Sequence, residues 1–259
     1  MDSQAPQWDD RVLFSFRVHS IASRPDIMTA RSLDLATVRE ADLSFLHTNQ
    51  SLRVLYLTDV HALRGVELLS QVRELVLVHI PKVRSLEPLL ALRDLQILTI
   101  STLPSWDASR KCLEVDSFEP LRSLNALVSL SLCGIRPNHG RLQPLQQLTG
   151  LRALNVSHVY SFDLRDYAEL AAHLPKTVGE CLRPCFSMGF ETPCRKCGRQ
   201  MVCLTGPKRR ARRFLCLSCD KARLLDHFDA WNKAAGREFP YPQSAQEVGL
   251  EPHLHYTGA

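Results

Sequence analysis

Apolar residues in the first two thirds of the chain recur in one short pattern. Aligned as Leu-x-x-Leu-x-Leu, it reads Leu52-Leu55-Leu57, Val72-Leu75-Leu77, Leu92-Leu95-Ile97, Leu127-Leu130-Leu132 and Leu151-Leu154-Val156. The third apolar positions are spaced by 20, 20, 35 and 24 residues, and a weaker copy, Ala30-Leu33-Leu35, lies 22 residues before the first. Each copy carries a further apolar residue three positions on: Val38, Val60, Ile80, Ile100, Ile135 and Val159. A unit this short cannot bury its own leucines. Stacked copies can share one interior, with a short strand from each lining up as a parallel sheet. Strand alternation then turns the leucines inward and the residues between them outward.

The flanking segments read as caps. Phe14, Phe16 and Val18 alternate with polar residues, which predicts a strand covering the first repeat. Asp163 to Leu174 predicts a helix, capped by Ser161 or Asp163 and stopped at Pro175, with Leu164, Tyr167, Ala171 and Leu174 on one face. Lys221 to Ala235 predicts a second helix, with Leu224, Leu225, Phe228 and Trp231 on its apolar side and Gly236 as its stop. The 35-residue step holds an insertion, Ser101 to Asp116, expected as a loop carrying Trp106.

At these positions the chain resembles the leucine-rich-repeat family, whose pattern is Leu-x-x-Leu-x-Leu-x-x-Asn/Cys-x-Leu. Glu87-Pro88-Leu89, Glu119-Pro120-Leu121 and Gln143-Pro144-Leu145 precede three strands and look like the convex segment of the short, internalin-like subclass. The resemblance spans roughly Thr29 to Val159. It implies an α/β leucine-rich-repeat solenoid with a parallel sheet on its concave face and a binding role for that face. The family's Asn position holds Val or Ile here, so apolar stacking replaces the buried asparagine ladder.

Six of the nine cysteines fall between Cys185 and Cys219. Cys194-x-x-Cys197 and Cys216-x-x-Cys219 are 18 residues apart, the spacing of a closed four-thiolate site, and one structural zinc is the expected cofactor ahead of an iron–sulfur cluster. The stretch Pro193 to Asp220 is similar to a zinc ribbon, with strands expected at Arg199–Thr205 and Arg213–Leu217 around a turn at Gly206-Pro207. Cys112 and Cys133 read as structural thiols; Cys181 and Cys185 are either half of a second site, for which no partner pair is evident, or with Cys203 ordinary core or surface thiols.

Composition narrows the function. With 45% hydrophobic and 23% charged residues the chain is globular, and no run of about 18 apolar residues spans a membrane. The polar N-terminus lacks the build of a secretory signal, and clustered cysteines suit a reducing compartment, so a cytoplasmic location is expected. No Gly-rich phosphate loop, nucleophile elbow or His/Glu metal set occurs, which argues against an enzyme. The expected organisation is an N-terminal cap (1–28), repeats (29–160), a capping helix and linker (161–190), a zinc ribbon with its helix (191–236) and an irregular tail (237–259).

The expected function is non-catalytic protein–protein interaction through the concave face. Its candidate residues are Arg53, Tyr56, Arg73, Val76, Val78, Arg93, Gln96, Trp106 and Asn155. Arg53, Arg73, Arg93 and Arg152 share a repeat position, either as a ridge for an acidic partner or as a solvated edge paired by Glu74 and Asp94. Net charge is +5, and between Pro193 and Arg223 ten basic residues face one acid. The alternative function is therefore a nucleic-acid-associated adaptor whose hairpin residues Lys208, Arg209, Arg210, Arg212 and Arg213 contact phosphates without sequence preference.

Overall fold

The repeats form because each leucine triplet, once extended, has a neighbour in register to bury against. The computed structural model describes residues 11–14, 25–36, 42–103, 105–106, 111–139, 141–157, 162–187, 193–206 and 214–248. The chain divides into two units, Met1–Gly140 and Arg141–Ala259.

In the first unit, strands β1 (Arg11–Phe14), β2 (Ser32–Leu35), β3 (Val54–Thr58), β4 (Glu74–Val78) and β5 (Ile97–Ser101) pair side by side. After the short strand β6 (Leu113–Val115), strand β7 (Ser129–Cys133) completes a six-stranded parallel sheet. Leu33, Leu55, Leu75, Leu98 and Leu130 stand in one row of this register, and all are fully buried. Each such side chain contributes about 1.5–3 kcal/mol relative to an exposed one. Of the predicted N-terminal strand only Arg11–Phe14 is described, and Phe16 and Val18 lie outside the described residues.

Short 3₁₀ turns lead into β3, β4, β5 and β7: Ser44–Thr48, Val66–Leu68, Glu87–Ala91 and Glu119–Ser123. Two start on the Glu-Pro-Leu stretches, where proline's fixed φ suits the first turn position and its missing N–H costs nothing. Gly65 precedes the second turn at φ 87, and a Cβ there would sit 2.2 Å from the Ser44 backbone nitrogen. Only glycine fits that approach.

The register corrects one repeat. Leu75 pairs with Leu98 and Leu77 with Ile100, so the third copy is Leu95-Leu98-Ile100. Leu98 is buried and Ile97 is 37% exposed, the reverse of the Leu92-Leu95-Ile97 frame. Two overlapping frames satisfy the same pattern over these residues. Leu92 belongs to the preceding turn, as the buried residue that ends it.

The described part of the insertion includes a strand. β6 pairs in parallel with β8 (Ile135–Pro137) as a second small sheet, and Glu114 bonds Arg136 beside it.

In the second unit, another 3₁₀ turn, Gln143–Gln147, precedes β9 (Ala153–Ser157). One edge of β9 is covered by a returning segment: Leu154 N–H donates to Val178 O at 2.9 Å, and Val178 N–H donates to Arg152 O at 2.8 Å. Covering an edge in this way removes unpaired backbone groups. Helix α2 (Leu164–His173) carries a capping box, in which the Asp163 carboxylate accepts from the Arg165 and Asp166 amides and Asp166 reaches back to the Asp163 N–H. Arg141 pairs with both carboxylates, each at 2.7 Å. The unit ends in a three-stranded antiparallel sheet, β10 (Cys185–Phe186), β11 (Met201–Leu204) and β12 (Phe214–Cys216), followed by helix α3 (Lys221–Ala235).

Candidate metal centre and strand face

The four cysteines of the paired Cys-x-x-Cys motifs converge on one point. The Sγ atoms of Cys194, Cys197, Cys216 and Cys219 all lie within 4.8 Å of one another. The first pair is shaped by a tight turn: Gly198 N–H donates to Cys194 O at 2.8 Å, and Cys194 N–H donates to Arg199 O at 2.7 Å. Gly198 takes φ 71, the left-handed conformation such a turn requires. The second pair is shaped by the start of α3. Asp220 N–H donates to Cys216 O at 3.0 Å, while the Asp220 carboxylate accepts from the Cys216 amide at 3.0 Å. The Arg199 guanidinium donates to Ser218 Oγ and ties the two turns together.

The sheet holds this arrangement between two faces. Cys185, Val202, Leu204 and Leu215 pack with Leu224 and Phe228 of α3 into a buried core. Cys216, Phe214 and Cys203 alternate with them and take the opposite face. Trp231 is buried as expected, but Leu225 is 39% exposed and drops out of the predicted apolar side of α3. The helix period places it beside that stripe. His227 Nε2 lies 2.9 Å from Pro184 O, and burial pulls its pKa down.

The thiols are electrostatically unequal. Backbone amides of Lys196 and then Cys197 hold the Cys194 thiol down at about 7. Hydrogen bonding to Cys197, then burial and the other sulfurs, push Cys219 up to about 12. Four sulfurs this close cannot all ionise beside each other without a cation, and a divalent ion supplies that charge. The donor set is thus compatible with one metal ion. Burial, and after it the neighbouring Cys203, pushes Cys185 up to about 12, and Cys181 and Cys203 are buried as well. These three are core residues.

The predicted ribbon strands appear shortened, as β11 and β12, and the third strand β10 was not expected. At two residues, β10 is too short for any hydrophobic period to reveal it. The basic residues Lys208, Arg209, Arg210, Arg212 and Arg213 lie outside the described residues.

The strand face is the other candidate. Register places Asp34, Tyr56, Val76, Thr99 and Ser131 in one row on the side opposite the leucines, with Ser131 itself buried. Thr58, Val78, Ser101 and Cys133 form the next. Tyr56 donates to Glu74 at 2.8 Å. Ile97, which no reading of the sequence placed outward, adds an apolar side chain.

The arginine column is different from the expected one. Backbone bonds run from Arg53 N–H to Arg31 O at 2.8 Å, Arg73 N–H to Arg53 O at 2.8 Å, and Gln96 N–H to Arg73 O at 2.7 Å. The column is therefore Arg31, Arg53, Arg73 and Gln96, and the frame shift that exposes Ile97 removes Arg93 from it. Arg93 is exposed elsewhere, in the turn preceding β5. Arg53 donates to the carbonyls of Gln50 and Leu52, and Arg73 pairs with Asp94 at 3.0 Å, so both heads are engaged locally.

Trp106 folds back: its ring stands edge-on to His79, centroids 4.7 Å apart, and Lys111 lies over it at 5.8 Å. Asn155 is half-buried on β9 in the second unit.

No protein-family model matches the chain, and no curated protein matches it in sequence. Among solved structures it is similar to internalin C2 of Listeria monocytogenes, at 20% identity and TM-score 0.43 over 58% of this chain and 60% of that one. An internalin (inlF) of the same organism shows 19% identity and TM-score 0.39 over 57% of this chain and 44% of that one. The chain thus spans less than two thirds of either.

Proposed function

We propose that the protein is a non-catalytic interaction module, working in the cytoplasm, that binds a protein partner on the outward face of its parallel sheet. The supporting observation is the register itself. It sets Tyr56 beside Val76 and puts Val78 and the 37% exposed Ile97, which is in register with Glu74, on the same face of adjacent strands. Aromatic and aliphatic anchors surrounded by Thr and Ser suit a partner surface, where a few such side chains dominate binding energy. Among the described residues no helix is long and apolar enough to cross a membrane.

Photo-crosslinking tests this reading. A crosslinker at Val76 should capture a protein from a lysate of the native host, whereas one at Leu90, 41% exposed in a 3₁₀ turn, should not. The adduct should also fade when Tyr56→Ala is added. Equal capture from both positions would overturn it.

The ion at the four cysteines is zinc in this reading, with a structural role. A tetrahedral ion with zinc–sulfur bonds of about 2.3 Å needs sulfurs about 3.8 Å apart. The Cys197–Cys216 separation of 3.5 Å sits close to that value.

A second reading has its own support. Arg195, Lys196 and Lys221 are exposed around the metal turns, and among the described residues no carboxylate lies within ion-pairing distance of them. Together with the basic run Lys208–Arg213 of the sequence they suit the phosphates of a nucleic acid. Anisotropy with a labelled oligonucleotide should show binding that weakens steeply with salt, with a slope that shrinks on neutralising Arg209, Arg210, Arg212 and Arg213. Salt-insensitive or absent binding would remove this reading and leave the first intact.

A further inference from the structure

The four sulfurs do not share one environment. Cys194 and Cys216 are buried, at 8% and 0% exposure, while Cys197 and Cys219 are exposed. Each Cys-x-x-Cys turn therefore holds one buried and one exposed cysteine, and the two exposed cysteines come from different turns. All four lie within 4.8 Å of one another, so a bond between the exposed pair requires only local movement of two surface turns.

We propose that Cys197 and Cys219 form an oxidant-sensitive modification site, which a hydroperoxide converts to an intramolecular disulfide with release of the bound ion. The inference rests on the metal reading above.

The chemistry balances with one peroxide. One exposed thiolate attacks a peroxide oxygen; the O–O bond breaks, hydroxide leaves, and the sulfur becomes a sulfenic acid. The second exposed thiolate attacks that sulfur; the S–S bond forms, the S–O bond breaks, and a second hydroxide leaves. The two sulfurs give up two electrons, which reduce the O–O bond, and each departing hydroxide takes up a proton from solvent to become water. With two of its four ligands gone the ion dissociates, and Cys194 and Cys216 take up protons.

Three observations favour this pair over its neighbours. The peroxide and both departing hydroxides need water, which reaches only the exposed side. Cys216 is fixed at the end of β12, its amide bonded to Asp220, and is 0% exposed. Arg195 and Lys196 stand between Cys194 and Cys197, and Lys221 follows two residues after Cys219, so cations flank the exposed sulfurs where negative charge leaves. Elsewhere in the unit, Cys181, Cys185 and Cys203 are buried, and Cys185 is held as the unreactive thiol. The disulfide would join the same two turns that the ion joins, so the core beneath need not unfold.

The test uses the full chain and hydrogen peroxide. Elemental analysis before oxidant first establishes one zinc per chain; finding none would overturn the metal reading itself. Peroxide should then release one zinc per disulfide formed, read with a chromogenic chelator. Fragmentation of linked peptides should join Cys197 to Cys219, with Cys181, Cys185 and Cys203 still reduced. Added dithiol and zinc should restore the starting form. Retention of the ion in a zinc-loaded chain, or linkage through Cys194 or Cys216, would overturn the proposal while leaving the metal reading standing.

Discussion

Replacing Cys216 by serine is expected to release the ion and to melt the second unit's C-terminal module, leaving the repeats folded. Cys216 is fully buried where β12 meets the turn into α3, and a hydroxyl is a poor substitute for a thiolate ligand. The module is small: its core holds Cys185, Val202, Leu204, Leu215, Leu224, Phe228 and Val248, with Leu217, Phe239 and Tyr241 at the margin. A core of that size rarely supplies more than about 3–5 kcal/mol, whereas structural zinc adds on the order of 10 kcal/mol of apparent binding energy at neutral pH. On the zinc reading, the ion therefore contributes more than the core.

Hydrogen exchange should show residues 193–206 and 214–235 losing protection in Cys216→Ser, and in the wild type treated with a strong chelator. Strands β3 to β7 should keep theirs, because they belong to the other unit. Unchanged protection around α3 in a chain shown to be metal-free would mean that apolar packing alone holds the module.

Much of this architecture is legible in the sequence, because its two strongest signals are periodic. The leucine triplets state which residues enter the core, and the paired Cys-x-x-Cys units state which sulfurs meet. The frame of the third repeat is harder, since Leu92, Leu95, Leu98 and the isoleucines satisfy the pattern twice. A second period settles it. The buried residue of each 3₁₀ turn lies six positions before the first leucine of its triplet: Leu46 before Leu52, Val66 before Val72, Leu121 before Leu127, Leu145 before Leu151. Leu89 then points to Leu95, not to Leu92. Turns carry the register here as much as strands do.

What no pattern shows is how the ends are closed. The return segment through Val178, which covers β9, has no period of its own. Its features are single contacts, such as Thr177 Oγ1 donating to Leu151 O at 2.8 Å. Gly179 follows, with a would-be Cβ only 2.1 Å from Leu154 O. Exposure of the individual cysteines is invisible for the same reason, because it depends on which side of each turn faces the core.

Asn49 is the strongest of these single-residue devices, and Asn49→Leu should destabilise the first unit by about 3–5 kcal/mol, although leucine or a close relative ends the later turns. At the equivalent position stand Leu69, Leu92, Leu124 and Leu148, so the substitution looks like a return to the repeat's own rule. The surroundings oppose it. Asn49 is fully buried, and its Nδ2 donates to Ile27 O at 2.7 Å and Ala30 O at 2.8 Å, which closes the end of the short helix α1 (Pro25–Thr29). Its Oδ1 accepts from the amides of Ser51 at 3.0 Å and Leu52 at 3.1 Å. Leucine is nearly the same size and would leave the Ile27 and Ala30 carbonyls without this donor where water cannot reach, each costing about 1–3 kcal/mol, while the exposed Ser51 amide can turn to water and Leu52 N–H keeps Asn49 O at 3.3 Å. Later repeats need no such residue because another repeat, not α1, precedes them. Asn49→Asp keeps the acceptor and loses both donors, so it should fall between wild type and Asn49→Leu. Gln71→Ala, which removes only the bond to Asn49 O, should cost about 1 kcal/mol. Denaturant unfolding of the three variants measures the order. If Asn49→Leu proved as stable as the wild type, side-chain closure of α1 would not be what holds the N-terminal end of the repeats.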